Sequence, residues 1–263
     1  NENRGYFVAQ QAKKINPSIF CLAGGFGPSS QPKKALENGI DIVGIGEGVL
    51  IIQELILAIQ NGGDAEKING IAWCEDGELI KTSSRELITN MDIVPFANWR
   101  LVVGWENIKV RIITFSAGCP WDCTFCSVTD FYGGTYRHRS VNNAVDYLIW
   151  ASEGHKPAWY NSKMSIFLGD DNIAGNPKWT EEFLDELEKR VSLGDISLSA
   201  QMRVQSCQNE ALMAKMEGKV DWIFFGCEDI TEEGLKSINK KQKPEDIIFA
   251  IKKGMEKGFN LEV

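Results

Sequence analysis

The sequence predicts an α/β protein in two successive parts: the C-terminal half of a doubly wound parallel sheet, followed by a partial parallel β/α barrel. Short apolar runs alternate with segments whose apolar residues recur at helical spacing, the pattern of parallel strands joined by helical crossovers. The runs end repeatedly in glycine or polar residues, where open α/β sheets bind ligands. The alternation breaks once. That break divides the chain into a front part over 1–63, a linker with a small hairpin over 64–105, and the partial barrel over 106–263.

Residues 6–14 read as a short helix. A buried strand over 19–23 ends at Gly24-Gly25. Pro32 opens a helix through Leu36, and Asn38-Gly39 closes it. A second apolar strand over 42–45 runs into Gly46-Glu47-Gly48. Val49, Ile52, Leu55, Ile56 and Ile59 then mark a helix that Asn61-Gly62-Gly63 stops. The runs 71–74 and 79–82 flank Asp76-Gly77, and Asp-Gly between two short strands signals a hairpin. Residues 85–106 have weak periodicity and are expected to cross the surface as a linker.

A second alternation starts at Lys109. Strands are predicted over 110–116, 164–168, 196–200 and 222–225, and a fifth begins over 259–263. Between them, helices are marked by Ala144, Leu148 and Ile149, by Trp179, Phe183, Leu184, Leu187 and Val191, by Leu212 and Met216, and by Ile247, Ile248, Ile251 and Met255. Pro244 opens the last helix and Gly258 closes it. The chain starts at Asn1 and stops inside a predicted strand, so it is expected to be a fragment.

The 263 residues suffice for one large domain, or one domain and part of another. At 43% hydrophobic and 24% charged, the composition is that of an ordinary globular protein. A net charge of -8 argues against a basic face that holds nucleic acid by counterion release; Arg137-His138-Arg139 is the one obvious seed of a local patch. No apolar run approaches the roughly 20 residues needed to span a bilayer, and no signal-peptide pattern is read in the chain. Seven cysteines, an odd number without a regular framework, point to a reducing compartment, expected to be the cytoplasm, and to a metal site.

Three of them stand in Cys119-Pro120-Trp121-Asp122-Cys123-Thr124-Phe125-Cys126, directly after the first barrel strand. Thiolates at this spacing can converge on one loop and bind three corners of a cubane cluster. Four cysteines are the norm for such clusters, and no fourth lies close in sequence, which leaves one iron open to a small molecule. The alternative is a zinc site, completed by His138 as Cys₃His, or unliganded thiols. Cys21, Cys74, Cys207 and Cys227 read as small buried hydrophobes.

The CxxxCxxC loop, with an aromatic residue before its last cysteine, resembles that of the radical S-adenosylmethionine (SAM) superfamily. The resemblance implies a radical SAM barrel. It implies that Cys119, Cys123 and Cys126 hold a 4Fe-4S cluster whose open iron chelates SAM, and that an electron from the cluster cleaves SAM to a 5′-deoxyadenosyl radical. It also places Phe125 against the adenosine, and it implies a low-potential electron donor such as flavodoxin or ferredoxin.

Other candidates come from strand ends, where β/α barrels gather their binding groups. These are Gly169-Asp170-Asp171, Gln201 with Arg203, and Gly226-Cys227-Glu228. Acidic groups suit the SAM ammonium and ribose hydroxyls, and Arg203 suits a carboxylate. Asp170 and Asp171 match the place of the family's Gly-Gly-Glu segment without its sequence, and Glu228 resembles the acid of a Gly-x-Glu segment. The plainer readings are that Asp171-Asn172 caps the next segment and Glu228 caps the helix after Thr231. Tyr136-Arg137-His138-Arg139-Ser140 resembles a segment of cobalamin-linked relatives; alternatively Ser140 caps a helix and the arginines are solvated. His155 reads as a surface loop residue.

The front part, with Gly24-Gly25, Pro28, Pro32, Asp41 and Gly46-Glu47-Gly48, resembles the second half of a Rossmann-like cobalamin-binding domain set ahead of a radical SAM barrel. Gly24 and Gly25 would face the corrin tail. The family's Asp-x-His-x-x-Gly segment is not in the sequence, and Gly27 stands where relatives often carry His. The resemblance implies a cobalamin-dependent methyltransferase acting on a small-molecule or lipid substrate at carbon or phosphorus. A radical SAM cyclase or oxidoreductase with a vestigial front domain is the second reading. A methylthiotransferase is disfavoured because only Cys21 and Cys74 precede the loop. A cobalamin- or metal-sensing module is the non-catalytic reading.

Overall fold

The computed structural model describes residues 2–154 and 163–263. The chain divides into two compact units, Asn1–Ile88 and Thr89–Val263. The first contains α1 (Glu2–Ile15), β1 (Leu22–Ala23), α2 (Phe26–Ser30), α3 (Pro32–Glu37), β2 (Ile42–Gly44), α4 (Gly48–Asn61), β3 (Ile71–Glu75) and β4 (Glu78–Lys81). Its sheet has the order β1-β2-β3-β4, with β1 and β2 parallel and the other pairs antiparallel.

Two features differ from the sequence reading. The hairpin β3–β4 is not an appendage of a linker over 64–105. It continues the first sheet, with Ala72 opposite Val43 and Ile71 opposite Gly44. An isolated two-stranded hairpin is marginal in water, and docking on β2 buries Ile71 and Ala72 completely. The front unit therefore runs to Ile88 rather than to 63. The strand expected to be buried over 19–23 is only Leu22–Ala23, at the sheet edge, with Ile19 and Phe20 exposed. Before it, the Asp41 carboxylate accepts from Cys21 N at 2.7 Å and from Lys13 Nζ at 2.7 Å.

The second unit contains β5 (Val110–Ile113), β6 (Ser116–Gly118), α5 (Ser127–Tyr132), β7 (Tyr136–His138), α6 (Val141–Ser152), β8 (Met164–Leu168), α7 (Pro177–Arg190), β9 (Ile196–Met202), α8 (Glu210–Met216), β10 (Trp222–Phe225), α9 (Glu232–Ser237), α10 (Pro244–Glu256) and β11 (Asn260–Glu262). Its main sheet is wholly parallel, in the order β11-β10-β9-β8-β5. This is the partial β/α barrel that the alternation predicts. Ile113, Ile166, Leu198 and Ile223 from the strands meet Leu148, Phe183, Leu187 and Met213 from the helices in one core. Pro177 and Pro244 occupy first-turn positions of α7 and α10. Ser140 caps α6 by accepting from Asn143 N at 3.3 Å.

The predicted strand over 110–116 is broken. β5 ends at Ile113, and β6 leaves the sheet to pair antiparallel with β7. The Asp170 carboxylate takes the amides of Phe115 and Ser116, at 3.0 and 2.5 Å, that a neighbouring strand would otherwise use. The segment before β5 packs on α6: Trp150 Nε1 donates to Ala97 O at 3.0 Å, and Phe96 stacks on Tyr147 with centroids 4.6 Å apart. Arg139, expected in solvent if unused, is 2% exposed; it donates to Val94 O and Asn143 Oδ1 and lies over the Phe96 and Tyr147 rings. His155 falls outside the described residues. Among the described residues, no helix is long and apolar enough to cross a membrane.

Candidate functional site

The site grows from a turn that demands glycine. Gly118 ends β6 at φ 88, and a Cβ there would collide with Thr135 O of the paired hairpin. That left-handed residue lets the chain swing away from the hairpin into the cysteine loop. Cys119, Cys123 and Cys126 all line one cavity of about 330 Å³, together with Asp171, Arg203 and Glu228 from the ends of β8, β9 and β10. Among the described residues, no three His, Cys, Asp or Glu side chains close to the spacing of a single-ion site. A cubane suits wider spacing, because each thiolate binds its own iron.

The loop is held from outside by the α9–α10 connection over 238–243. Thr124 N donates to Ile238 O at 3.0 Å, Asn239 Nδ2 to Asp122 O at 3.0 Å, and Lys241 Nζ to Asp122 Oδ1 at 2.6 Å. Asn239 and Lys241 both have left-handed backbones, φ 51 and 53. Strained non-glycine positions of this kind persist where surrounding contacts fix them.

Each candidate residue has a definite place. Asp171 is exposed at the cavity rim; burial by its surroundings still raises its carboxyl above the usual range, opposed by a hydrogen bond from the Gly118 backbone. Asp170 is not in the cavity. It is 0% exposed and turns inward to the β6 amides and the Ser116 hydroxyl, so a role in touching a ligand is corrected to one in holding the strand. Desolvation pushes its carboxyl up to about 6. Glu228, at φ 66, faces the cavity and pairs with Lys240 Nζ at 2.9 Å. It caps nothing: Thr231 caps α9 by accepting from Gly234 N, and Asp229 accepts from Thr231 N. Asn172 stands at the N-cap position of the short turn Ile173–Gly175 without a side-chain bond to it, and Asn176 caps α7. Phe125 lines the cavity with 53% exposure. Gly24 and Gly25 lie in the front unit at the end of β1, Gly25 at φ 87 just before α2.

Arg203 is committed to protein partners. Nη1 donates to Cys123 Sγ at 3.2 Å, Nη2 donates to Lys240 O, and the guanidinium lies 4.1 Å from the Trp121 ring centroid. His138 contacts Arg139 O through Nδ1 and Asn176 Nδ2 through Nε2, at 3.0 and 3.3 Å, so both ring nitrogens have partners away from the thiols. That removes the support for a Cys₃His zinc site. Burial raises the Cys119 thiol, and nearby Cys126 adds to this while Arg203 opposes it. Of the remaining cysteines, Cys207 is buried as expected, but Cys74 is exposed near the end of β3.

Sequence reasoning missed Lys240, a 5% exposed lysine in the cavity wall whose ammonium lies 5.7 Å from the Phe125 ring centroid. It also missed Trp121 as the platform for Arg203. The run Asn239-Lys240-Lys241-Gln242-Lys243 has the composition of a solvated turn, and nothing local signals that Lys240 and Gln242 are buried.

A parallel β/α sheet whose first strand leads through β6 into a three-cysteine loop defines a metallocofactor-binding barrel, and the radical SAM superfamily profile matches residues 113–262. The chain belongs to the radical SAM superfamily. It is 30% identical over 261 residues to an uncharacterized methyltransferase of Pyrococcus horikoshii, covering 97% of this chain and 55% of that protein. It is 26% identical over 243 residues to the anaerobic magnesium-protoporphyrin IX monomethyl ester cyclase of Synechocystis, covering 86% of this chain and 45% of that protein. The chain thus spans about half the length of these relatives. The radical S-adenosylmethionine methyltransferase TsrM from Kitasatospora setae, solved with cobalamin and a 4Fe-4S cluster bound, shares the fold with a TM-score of 0.78 at 17% identity, over 99% of this chain and 52% of that one.

Proposed function

We propose that the chain is the cluster-bearing part of a cobalamin-dependent radical SAM methyltransferase acting on a small-molecule or lipid substrate. One observation carries this reading: Cys119, Cys123 and Cys126 line a single cavity with Asp171 and Glu228, at the C-terminal ends of parallel strands. When bound, a 4Fe-4S cluster supplies the electron for reductive cleavage of SAM and cobalamin supplies a carrier for the methyl group. The three thiols would take three corners of the cluster. Asp171 at the rim and Glu228 offer carboxylate oxygens to an ammonium or to ribose hydroxyls. The exposed ring of Phe125 offers an apolar face to the adenine. Gly24 and Gly25, free of side chains at a strand end, suit close approach of a corrin tail. A flavodoxin or ferredoxin is the class of donor that the electron requires.

The test is anaerobic reconstitution with iron and sulfide, followed by reductant and SAM. The chain is expected to take up cluster and to form 5′-deoxyadenosine, and Cys123→Ala is expected to lose both. Iron and sulfide retained in that variant would count decisively against the assignment.

The likeness to a magnesium-protoporphyrin cyclase favours a second reading, a radical SAM cyclase or oxidoreductase. Methyl-labelled SAM separates the two. Label passing to added cobalamin is expected of the methyltransferase, whereas 5′-deoxyadenosine without label transfer points to the second reading.

A further inference from the structure

We propose that Arg203 is a positioning residue of the cysteine loop, donating to the Cys123 sulfur and setting the environment of the bound cluster, and is not the group that receives a carboxylate. The proposal rests on reading Cys119, Cys123 and Cys126 as cluster ligands, and it deepens that reading.

Arg203 directly follows β9 and is 5% exposed. All three of its nitrogens have partners within the fold. Nη1 donates to Cys123 Sγ at 3.2 Å, Nη2 to Lys240 O, and Nε to Gln205 Oε1 at 3.3 Å. The face of the guanidinium lies over Trp121, 4.1 Å from the ring centroid. Arg203 therefore grips the cysteine loop at two points, a sulfur and an indole, and is braced from behind by the α9–α10 connection. That connection is itself tied to the same loop through Asp122 and Thr124. Arginine suits the task because its planar fork makes several directed hydrogen bonds and stacks on an aromatic face at once, which an ammonium cannot do.

The geometry decides between two roles. Three of the five guanidinium N–H donors are already spent on Gln205, Cys123 and Lys240 in a side chain that is 5% exposed, which leaves a carboxylate only the second N–H of each terminal nitrogen. Donation to the sulfur needs no rearrangement. Hydrogen bonds to cluster sulfurs set reduction potential, together with net charge and solvent exposure. A cationic donor draws charge from the thiolate and favours the reduced cluster, so losing it lowers the potential.

Arg203→Met keeps most of the side-chain volume and removes every donor. The whole chain, reconstituted with iron and sulfide, is titrated by EPR-monitored reduction without SAM, and SAM affinity is measured separately on the oxidised cluster. The expected result is a more negative midpoint potential and faster loss of iron to a chelator, with SAM affinity changed by less than about tenfold. Loss of a charged hydrogen bond to a SAM carboxylate would instead cost about tenfold to a hundredfold in affinity. An unchanged potential and iron retention, with SAM affinity reduced by that factor, overturns the proposal.

Should Arg203→Met fail to fold, Trp121→Leu decides. It removes the platform while leaving Arg203 and the thiols in place. A smaller shift to negative potential supports the proposal, and no shift overturns it. A wild-type chain that takes up no iron and sulfide overturns the cluster reading, and the proposal with it.

Discussion

Asp170 and Asp171 are neighbours in the chain that face opposite ways, because successive residues at a strand end point to opposite sides. Asp171 reaches the cavity rim. Asp170 is sealed among Phe115, Ser116 and Tyr136, with Oδ1 accepting two amides and the Ser116 hydroxyl while Oδ2 has no partner. Desolvation outweighs these bonds, and the carboxyl is pushed up to about 6 from its usual 3.8. The folded chain thus holds this proton more tightly than the unfolded chain does. Asp170 contributes stability below about pH 4 and loses it as the pH rises towards 6, a change of about 3 kcal/mol. Asp170→Asn keeps a carbonyl for the β6 amides and cannot ionise. Relative to wild type, the cluster-free variant is expected to gain stability on going from pH 4 to pH 7, read as the difference in unfolding free energy at the two values. Parallel pH profiles for the two chains would show that Asp170 does not titrate in this range. Comparing the two proteins cancels the opposite slope from exposed, hydrogen-bonded carboxylates such as Asp122 and Asp229, whose pKa values are lowered.

At the scale of elements, the α9–α10 connection does for the cysteine loop from outside what Asp170 does for β6 from within. Its contacts reach the loop across 117 residues of sequence, as in the bond from Asn239 Nδ2 to Asp122 O. Asn239→Gly isolates that bond, since glycine adopts φ 51 without strain. One neutral hydrogen bond contributes about 0.5–1.5 kcal/mol. Cluster loss to a chelator is therefore expected to accelerate about twofold to tenfold while the melting temperature stays close to wild type. An unchanged rate would show that the loop does not depend on this tether. The same separation explains what the sequence makes legible. Cys119, Cys123 and Cys126 announce themselves by local spacing, and the strands and helices from 164 to 225 by local periodicity. The break between β5 and β6 does not, because it is caused by Asp170, 54 residues beyond Ser116. Neither does β7, whose apolar period is absent and whose partner is β6, nor the short helices α2 and α5, which lack a full apolar stripe. The inward turn of Asp170 and the commitment of Arg203 are likewise set by partners far off in sequence.

At the scale of the whole chain, the cavity is assembled from segments that are distant in sequence but belong to one unit. The cysteine loop, the ends of β8, β9 and β10, and the connection over 238–243 all fall within Thr89–Val263. A ligand that binds only the folded arrangement stabilises it in proportion to how far its concentration exceeds its dissociation constant. Cluster thiolates exist as a set only in the folded unit, so cluster binding is linked to folding there. The consequence is spatially selective. Hydrogen exchange of the reconstituted chain, compared with the cluster-free chain under anaerobic conditions, is expected to slow over 115–126, 201–205, 226–228 and 238–242 together. Backbone bonds within β2, β3 and β4 of the front unit do not contribute to the cavity and are expected to exchange at the same rate in both. Local unfolding reports such cooperative groups directly. Protection confined to 119–126 would show that the loop holds the cluster without the tethers seen at Arg203 and Asn239. Equal protection of both units would show that their folding is coupled more tightly than their separate cores imply.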